Sequence, residues 1–559
     1  MQARSLGDLL RSSARNFATR PAMMFSSGGD YRTLLYSELY ETVRRFATVV
    51  SELGIQRGDR LVIQSENCPE WAWLDWACQC LGIVVVPIYP TLPADQSQYI
   101  VQNCGARIVV AGGAEQAAKS EGLADVRVVL LKGVPDSLAT LAATARPMEL
   151  DGTIDAIQPS DIATFIYTSG TTGAPKGAML KHESFTFICD SVRKSLPITE
   201  QDVFLSFLPM SHVYERVAGQ VLPLSLGACI AYAQNLRTLA SDMQRARPTV
   251  MLCVPRFLEA TREKIVDTAM KGSGVKRFLF KSALSQGAAR VNGRFAPFAG
   301  LLDKLVGAKI REKTGGRIRF FVSGGAALAP HVSEFYRAFR LNVLQGYGLT
   351  ETTAATCVNH PDDNRPWTVG PPLEGIEVRI AGDGEILVRG PSVMVGYHDM
   401  PEETRAAIDE SGWFHTGDIG EFEGKNLKIT DRKKDLLVLA NGKNVAPQPI
   451  ENKLKASDLI SEAVLFGDGM EFVSALVIPN RDALNAMGIE QIASNEARAA
   501  IKKEVDKVNA TLADFEKVKR HTLLDAEFSI ESGELTPSLK VRRKVVKEKY
   551  ADLISEMGR

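Results

Sequence analysis

Tyr167-Thr168-Ser169-Gly170-Thr171-Thr172-Gly173-Ala174-Pro175-Lys176-Gly177 sets three glycines, four Ser/Thr hydroxyls and one lysine within eleven residues. Glycines permit positive φ and close backbone approach, leaving N–H groups to point at an anion, while the hydroxyls and Lys176 add donors and charge. The combination predicts a polyphosphate cradle. Apolar Ile162, Ala163, Phe165 and Ile166 lead into it, so a buried strand is expected to deliver the loop to a sheet edge. No Gly-Lys-Ser/Thr closes the loop and Pro175 precedes the lysine. The Walker spacing therefore fails, and an ordinary P-loop NTPase is disfavoured.

Upstream of the loop, Leu39, Val43, Phe46, Ala47 and Val50 recur at helical spacing before Gly54. Strand-like Arg60-Leu61-Val62-Ile63 follows, then a helical stretch over 71–81, then Ile83-Val84-Val85-Val86 and Ala106-Arg107-Ile108-Val109-Val110. Helix and strand alternate, which predicts an α/β fold with a largely parallel sheet. Trp71, Trp73 and Trp76 are expected in its core rather than in a ligand box.

Downstream, a strand over 203–208 ends in Pro209-Met210-Ser211-His212. His212 thus sits just past a strand end, where open α/β sheets place their ligands. Residues 255–318 read as helical, glycine-divided and rich in Lys and Arg, the basic residues forming a solvated face. Ser323-Gly324-Gly325-Ala326 follows another strand, and Asn342-Val343-Leu344-Gln345-Gly346-Tyr347-Gly348-Leu349-Thr350-Glu351-Thr352 hands a further strand to a turn. Tyr347 offers a face for a base, Thr350 a hydroxyl for a phosphate, and Glu351 an oxygen ligand for Mg²⁺.

Residues 375–396 read as short antiparallel strands. Gly412-Trp413-Phe414-His415-Thr416-Gly417-Asp418 comes next, and Asp418 is suited to accept hydrogen bonds from ribose hydroxyls. The charged run 431–435 is a linker candidate, after which a smaller unit begins. It opens with Ala440-Asn441-Gly442-Lys443-Asn444 and ends with Glu534-Leu535-Thr536-Pro537-Ser538-Leu539-Lys540-Val541-Arg542-Arg543-Lys544, with Lys540 on the turn before an expected helix.

At 559 residues the chain is long enough for three or four domain-sized units. Its 66 basic residues balance 66 acidic ones, so any anion site is local and no global field favours nucleic acid. The eight cysteines are scattered without paired CxxC clusters, and are read as buried thiols in a reducing cytoplasm rather than zinc ligands. The first residues lack the apolar run of a secretory signal. The most apolar stretch, 71–88, is broken by Asp75, Gln79 and Pro87 and falls short of a spanning helix. Peripheral contact at the inner face of a membrane stays open.

In this order the elements resemble the ANL superfamily of adenylate-forming enzymes, and within it the AMP-forming long-chain fatty acyl-CoA synthetases. YTSGTTGAPKG, QGYGLTE, GWFHTGD, DRKKDL and the terminal lysine motif are five matches in sequence, and 412–451 resembles the fatty acyl-CoA synthetase signature. The resemblance implies a large N-terminal domain over 1–431 built of α/β subdomains with a small β-rich unit, and a mobile α+β C-terminal domain over 432–559. It implies a long-chain fatty acid, ATP with Mg²⁺, and coenzyme A as substrates and cofactors. A homodimer is left open.

By the same resemblance, Thr168, Ser169, Gly170, Thr171, Thr172, Gly173 and Lys176 would hold the β- and γ-phosphates. Thr350 and Glu351 would contact the α-phosphate and the metal. Gly325, Ala326 and Tyr347 would surround adenine, and Asp418 and Arg432 would bind ribose. His212 would stand beside the carboxylate. Lys540 would be the adenylation lysine, Lys434 a hinge, and Gly442, Lys443 and Asn444 the loop of the CoA step. Leu539 stands where the superfamily commonly has glycine, so Lys544 is the alternative register. Two rivals remain: an acyl-AMP ligase serving a carrier protein, which would carry an insertion near the hinge that 434–442 has no room for, and a catalytically silent lipid-binding protein. No carrier-protein module is expected.

Overall fold

The strands whose sequences are apolar from end to end form the middles of two parallel sheets. The computed structural model describes residues 3–27, 30–168, 174–529, 532–535 and 541–558. The chain divides into a larger unit, 1–328, 332–378 and 387–415, and a smaller one, 329–331, 379–386 and 416–559.

The first sheet of the larger unit has eight strands. In spatial order they are Cys357–Val358, Asn342–Tyr347, Phe320–Ser323, Val250–Cys253, Val203–Ser206, Cys229–Tyr232, Pro21–Ser27 and Asp30–Leu35. The six inner strands run parallel and the two outermost antiparallel. The second sheet has seven: Gly396–Tyr397, Lys176–Lys181, Ile162–Thr168, Val84–Ile88, Arg60–Gln64, Ile108–Ala111 and Arg127–Leu130. Its last five are parallel. Val84–Ile88, Ile108–Ala111, Cys229–Tyr232, Val250–Cys253 and Phe320–Ser323 are buried at every position, as strands covered on both faces must be.

Helix Pro69–Leu81 begins with a proline in its first turn and ends at Gly82 in the left-handed conformation, the punctuation expected of a short helix. It buries Trp71 and Trp76 as read, while Trp73 is half-buried with its ring edge-on to Phe25 and Phe46. All eight cysteines are free and buried. Residues 255–318 form the helices Pro255–Met270, Gly274–Val291, Ala299–Leu302, Asp303–Gly307 and Ala308–Lys313. No helix of the described residues is long and apolar enough to cross a membrane.

In the smaller unit, strand alternation decides the core. Ala463, Leu465, Ala475 and Val477 join Ile501 and Val505 of helix Asn495–Asn509 on one face of a three-stranded sheet. Val464, Phe466, Leu476 and Ile478 join Val546, Ile554 and Met557 on the other. The period-two pattern thus buries both faces with helices.

Candidate active site

The glycine-rich loop is bracketed by two strands of a hairpin. Thr168 ends Ile162–Thr168 and lies opposite Lys176, which starts Lys176–Lys181. Ser169, Gly170, Thr171, Thr172 and Gly173 lie outside the described residues. The exit is a strand, so no helix N-terminus directly follows the loop as in a P-loop, and Lys176 supplies charge at its base. A Cβ at Gly177 would stand 2.9 Å from the far edge of the Tyr167 ring, so a side chain there would push that ring aside.

The two-residue strand Gly396–Tyr397 adds to the edge of the same hairpin, pairing Tyr397 with Ala178. The Lys176 Nζ lies 5.2 Å from the centroid of the Tyr397 ring, within cation–π range. The Tyr397 hydroxyl donates to Glu351 Oε1 at 2.8 Å. Burial, and next the negative Glu351, push the Tyr397 phenol well above its ordinary pKa, so it stays a donor at neutral pH. One tyrosine thereby links the lysine that follows the glycine-rich loop to the carboxylate of the other sheet.

Glu351 sits in the short 3₁₀ turn Thr350–Thr352, just past Asn342–Tyr347. The Leu349 N–H donates to Thr352 Oγ1 at 2.9 Å, and Thr353 and Ala354 hold positive φ of 54° and 75°. Two successive non-glycine residues in that region store strain that the surroundings must hold. The restraints are present: Thr353 Oγ1 donates to the Ser392 carbonyl at 2.7 Å, and the Met394 N–H donates to the Glu351 carbonyl at 2.8 Å. A Cβ at Gly348 would lie 2.1 Å from the Ala354 oxygen, so only glycine lets the turn close.

Gly325 and Ala326 leave the adjoining strand Phe320–Ser323, exposed, with Gly325 at φ +84°. A Cβ at Gly324 would meet the Tyr214 ring at 3.0 Å, and the Tyr214 hydroxyl donates to the Val322 carbonyl at 2.8 Å. His212 Nδ1 accepts the Tyr214 N–H at 3.1 Å, which assigns the ring proton to Nε2 and makes that nitrogen a donor. Asn67 fixes the approach, accepting the Met210 N–H at 2.9 Å and donating to the Leu208 carbonyl at 2.6 Å. His212, Gly325, Ala326, Tyr347, Thr350 and Glu351 therefore all stand at the C-terminal ends of parallel strands of one sheet.

Two charged groups behind His212 escaped sequence reading. Arg216, 1% exposed, donates through Nε and Nη2 to Asp75 at 2.8 and 2.6 Å and through Nη1 to Thr164 at 2.6 Å. Thr164 belongs to the strand that enters the glycine loop, so the ion pair ties the His212 segment to that strand. A charge of each sign inside apolar runs was the available signal. Glu215 is also buried, and desolvation raises its pKa to about 7 despite hydrogen bonds from Ser206 and Gln220.

In the smaller unit, Asp418 and Arg432 are paired across the hairpin Phe414–Glu423 and Asn426–Arg432. Arg432 Nε lies 3.1 Å from Asp418 Oδ1. Asp431 accepts the N–H groups of Arg432 and Gln448 at 2.6 and 3.1 Å, joining the hairpin to helix Pro447–Leu454. Lys434 is exposed on the following turn. Gly442 has φ +77° with open space around it. Lys443 Nζ lies 4.7 Å from the Phe515 ring centroid, and Asn444 is exposed.

Lys540 lies outside the described residues. The residues flanking 536–540 are fixed, since Leu535 and Val541 form an antiparallel bridge. Arg543 pairs with Glu451 at 2.7 Å and donates to the Leu465 carbonyl at 2.7 Å. Lys544 is exposed and 4.0 Å from Glu548.

Among the described residues, no three His, Cys, Asp or Glu side chains gather to hold a metal. Magnesium carried with a nucleotide takes one or two carboxylates, the rest being phosphate and water oxygens, and the Glu351 carboxylate at a strand end suits that demand.

The family model described as AMP-binding enzyme matches residues 10–398, and that described as AMP-binding enzyme C-terminal domain matches 434–558. The chain is 34% identical over 556 residues to the long-chain-fatty-acid–CoA ligase FadD15 of Mycobacterium tuberculosis, covering 94% of this chain and 92% of the relative. It is 32% identical over 577 residues to the peroxisomal long chain acyl-CoA synthetase 6 of Arabidopsis thaliana, covering 95% and 82%. Among solved structures, ATP-bound MatB from Rhodopseudomonas palustris superposes with a TM-score of 0.77 at 26% identity, covering 99% of this chain and all of that one.

Proposed function

Because the chain belongs to the AMP-binding enzyme family, we propose that it is an AMP-forming ligase that joins a long-chain fatty acid to coenzyme A through an acyl-AMP intermediate. The observation that carries this reading is the Lys176–Tyr397–Glu351 chain, in which a cation suited to phosphate and a carboxylate suited to Mg²⁺ flank one phenol. The 34% identity to a long-chain-fatty-acid–CoA ligase over almost the whole chain supports the substrate class.

In the first half-reaction a carboxylate oxygen of the fatty acid attacks the α-phosphorus of ATP. The bond to the bridging oxygen breaks, and pyrophosphate leaves with its electron pair. Such chemistry asks the protein for positioning and for neutralisation of spreading charge. Thr168, Lys176 and the loop between them grip the β- and γ-phosphates. Thr350 and Glu351 face the α-phosphate, and Glu351 would hold a magnesium ion, which would supply positive charge against the phosphates. Gly325, Ala326 and Tyr347 enclose adenine, while Asp418 and Arg432 take the ribose. His212 presents its Nε2 donor to the carboxylate. Lys540 bridges that carboxylate and the α-phosphate, where a charge-assisted contact is strong.

In the second half-reaction the CoA sulfur attacks the acyl carbonyl, the thiol proton passes to solvent, and AMP leaves. The C-terminal domain, taken as 432–559 against an N-terminal domain of 1–431, turns about Lys434 and brings Gly442, Lys443 and Asn444 to the CoA. A charged exposed turn suits the backbone change this needs. The fatty acid is taken from a membrane surface in peripheral contact with the enzyme.

Purified protein supplied with ATP, Mg²⁺ and CoA is expected to release AMP and pyrophosphate and to form acyl-CoA, with the highest kcat/KM for long-chain acids in a series from acetate upward that includes aromatic acids. A maximum at short or aromatic acids would overturn the substrate class. Adenylate formation without thioester formation on CoA would favour the carrier-protein ligase.

A further inference from the structure

The basic helical stretch contains an apolar surface that the sequence reading did not separate from its charges. Val275, Phe278, Phe295, Phe298, Leu301 and Leu305 are all exposed, Phe295 at 89% and Phe298 at 62%. They are not frayed core, because helix Gly274–Val291 is fastened by other residues. Phe280 stacks on Phe339 with centroids 5.7 Å apart. Gly287 lies so close to Ala338 that a Cβ would stand 2.3 Å from its carbonyl oxygen, and Arg290 Nη2 donates to that oxygen at 3.2 Å. The short helices Ala299–Leu302 and Asp303–Gly307 pack on the same helix. A fixed element that turns aromatic rings to solvent marks an interaction surface.

The charges around it identify the partner. Between residues 268 and 302 there are six basic residues and no Asp or Glu, in a chain whose 66 cations and 66 anions otherwise balance. Lys276, Arg277, Lys281 and Arg294 are exposed. Asp303, the next acid, is occupied by Arg311 at 2.7 Å and Arg340 at 3.3 Å. An isologous dimer through this face would set the same cations against each other. An anionic bilayer offers what the face lacks: an apolar layer a few ångströms deep under a plane of negative phosphates.

We propose that residues 274–305 form a docking surface for anionic membranes, with Phe295, Phe298 and Leu301 entering the interfacial layer and Lys276, Arg277, Lys281 and Arg294 lying among the headgroups. For its purpose the proposal rests on the long-chain reading, since such acids partition into bilayers; binding itself is measured without turnover.

The experiment is flotation of the full chain with vesicles of phosphatidylcholine alone and with vesicles containing phosphatidylglycerol. The protein is expected to float with the anionic vesicles only, and to be released at about 0.5 M salt, where surface charges are screened beyond ~4 Å. The double variant Phe295→Asp, Phe298→Asp should reduce the bound fraction by about tenfold or more, and Arg294→Glu should weaken it less. Both variants should keep the melting temperature and the turnover of a soluble medium-chain acid. Failure of the wild-type chain to float, or flotation of the double variant like wild type, overturns the proposal. So does a vesicle-free dimer that the double variant dissolves, which would assign the face to a second copy. Flotation by a chain that makes no acyl-CoA would sink the ligase reading and leave the docking surface standing.

Discussion

Tyr397 stands between the lysine of the glycine loop and the carboxylate of the neighbouring sheet, and nothing in the local text Gly396-Tyr397-His398 announces it. Its role arises from pairing with Ala178, a contact between residues more than two hundred positions apart, which motif reading does not supply. Removing only the hydroxyl, in Tyr397→Phe, keeps the ring under Lys176 and withdraws the donor from Glu351. A hydrogen bond to a charged group contributes roughly 1.5–3 kcal/mol, so adenylation measured by pyrophosphate release should slow by about tenfold or more. The melting temperature should hardly change, and an unaltered rate would remove Tyr397 from the site. Glu215 makes a second residue-level case. The folded chain keeps its proton up to about pH 7, whereas its ordinary value is 4.5. Between those values the folded state binds more protons than the unfolded, so stability falls as pH rises through the window and levels off above it, by about 3 kcal/mol in all. Glu215→Gln should abolish that share of the decline in urea titrations at pH 5 and pH 8. Parallel pH profiles for the two proteins would refute it.

At the scale of elements, the strand ends were legible because each apolar run is followed within three residues by proline or glycine. Val203–Ser206 gives way to Pro209, Phe320–Ser323 to Gly324 and Gly325, and Asn342–Tyr347 to Gly348. These breaks put His212, Gly325 and Glu351 at strand ends from the sequence alone. The hairpin after the glycine loop was not legible, because Gly177-Ala178-Met179-Leu180 alternates too weakly to declare a strand. Nor was the Asp75–Arg216 pair, which joins helix Pro69–Leu81 to the π-helical segment Glu215–Val221; partners in a buried ion pair carry no mark of each other in sequence. The turn after Asn342–Tyr347 can be tested directly. Gly348→Ala sets a methyl 2.1 Å from the Ala354 oxygen, so the turn carrying Thr350 and Glu351 must shift. Overpacking of this kind costs roughly 1–3 kcal/mol. The variant should fold with a lowered melting temperature and lose adenylation far out of proportion to that loss. Full activity in a folded Gly348→Ala chain would show that the turn tolerates displacement.

For the whole molecule, the division of labour between half-reactions makes opposite demands on two loops of the smaller unit. The residues that flank 536–540 are held by the Leu535–Val541 bridge and the Arg543–Glu451 pair, and neither fastening uses Lys540. Gly442 lies on the hairpin between Leu437–Val438 and Asn444–Val445, in open space but at φ +77°. A Cβ there meets no atom within 4 Å, and the left-handed backbone costs a non-glycine residue roughly 1–2 kcal/mol, so a bulky variant is expected to fold. Single-turnover assays of the separate steps should then split in opposite directions. Lys540→Ala should abolish AMP formation from carboxylate and ATP while sparing much of the thioester formation from supplied acyl-AMP. Gly442→Trp should leave adenylation within a few-fold of wild type and slow CoA transfer by at least about tenfold, the loss expected when a positioned approach is obstructed. Equal loss of both steps in Lys540→Ala would return the adenylation role to Lys544. Unchanged transfer in Gly442→Trp would count against the turning of the C-terminal domain about Lys434, because the loop it is said to present would then not approach CoA at all.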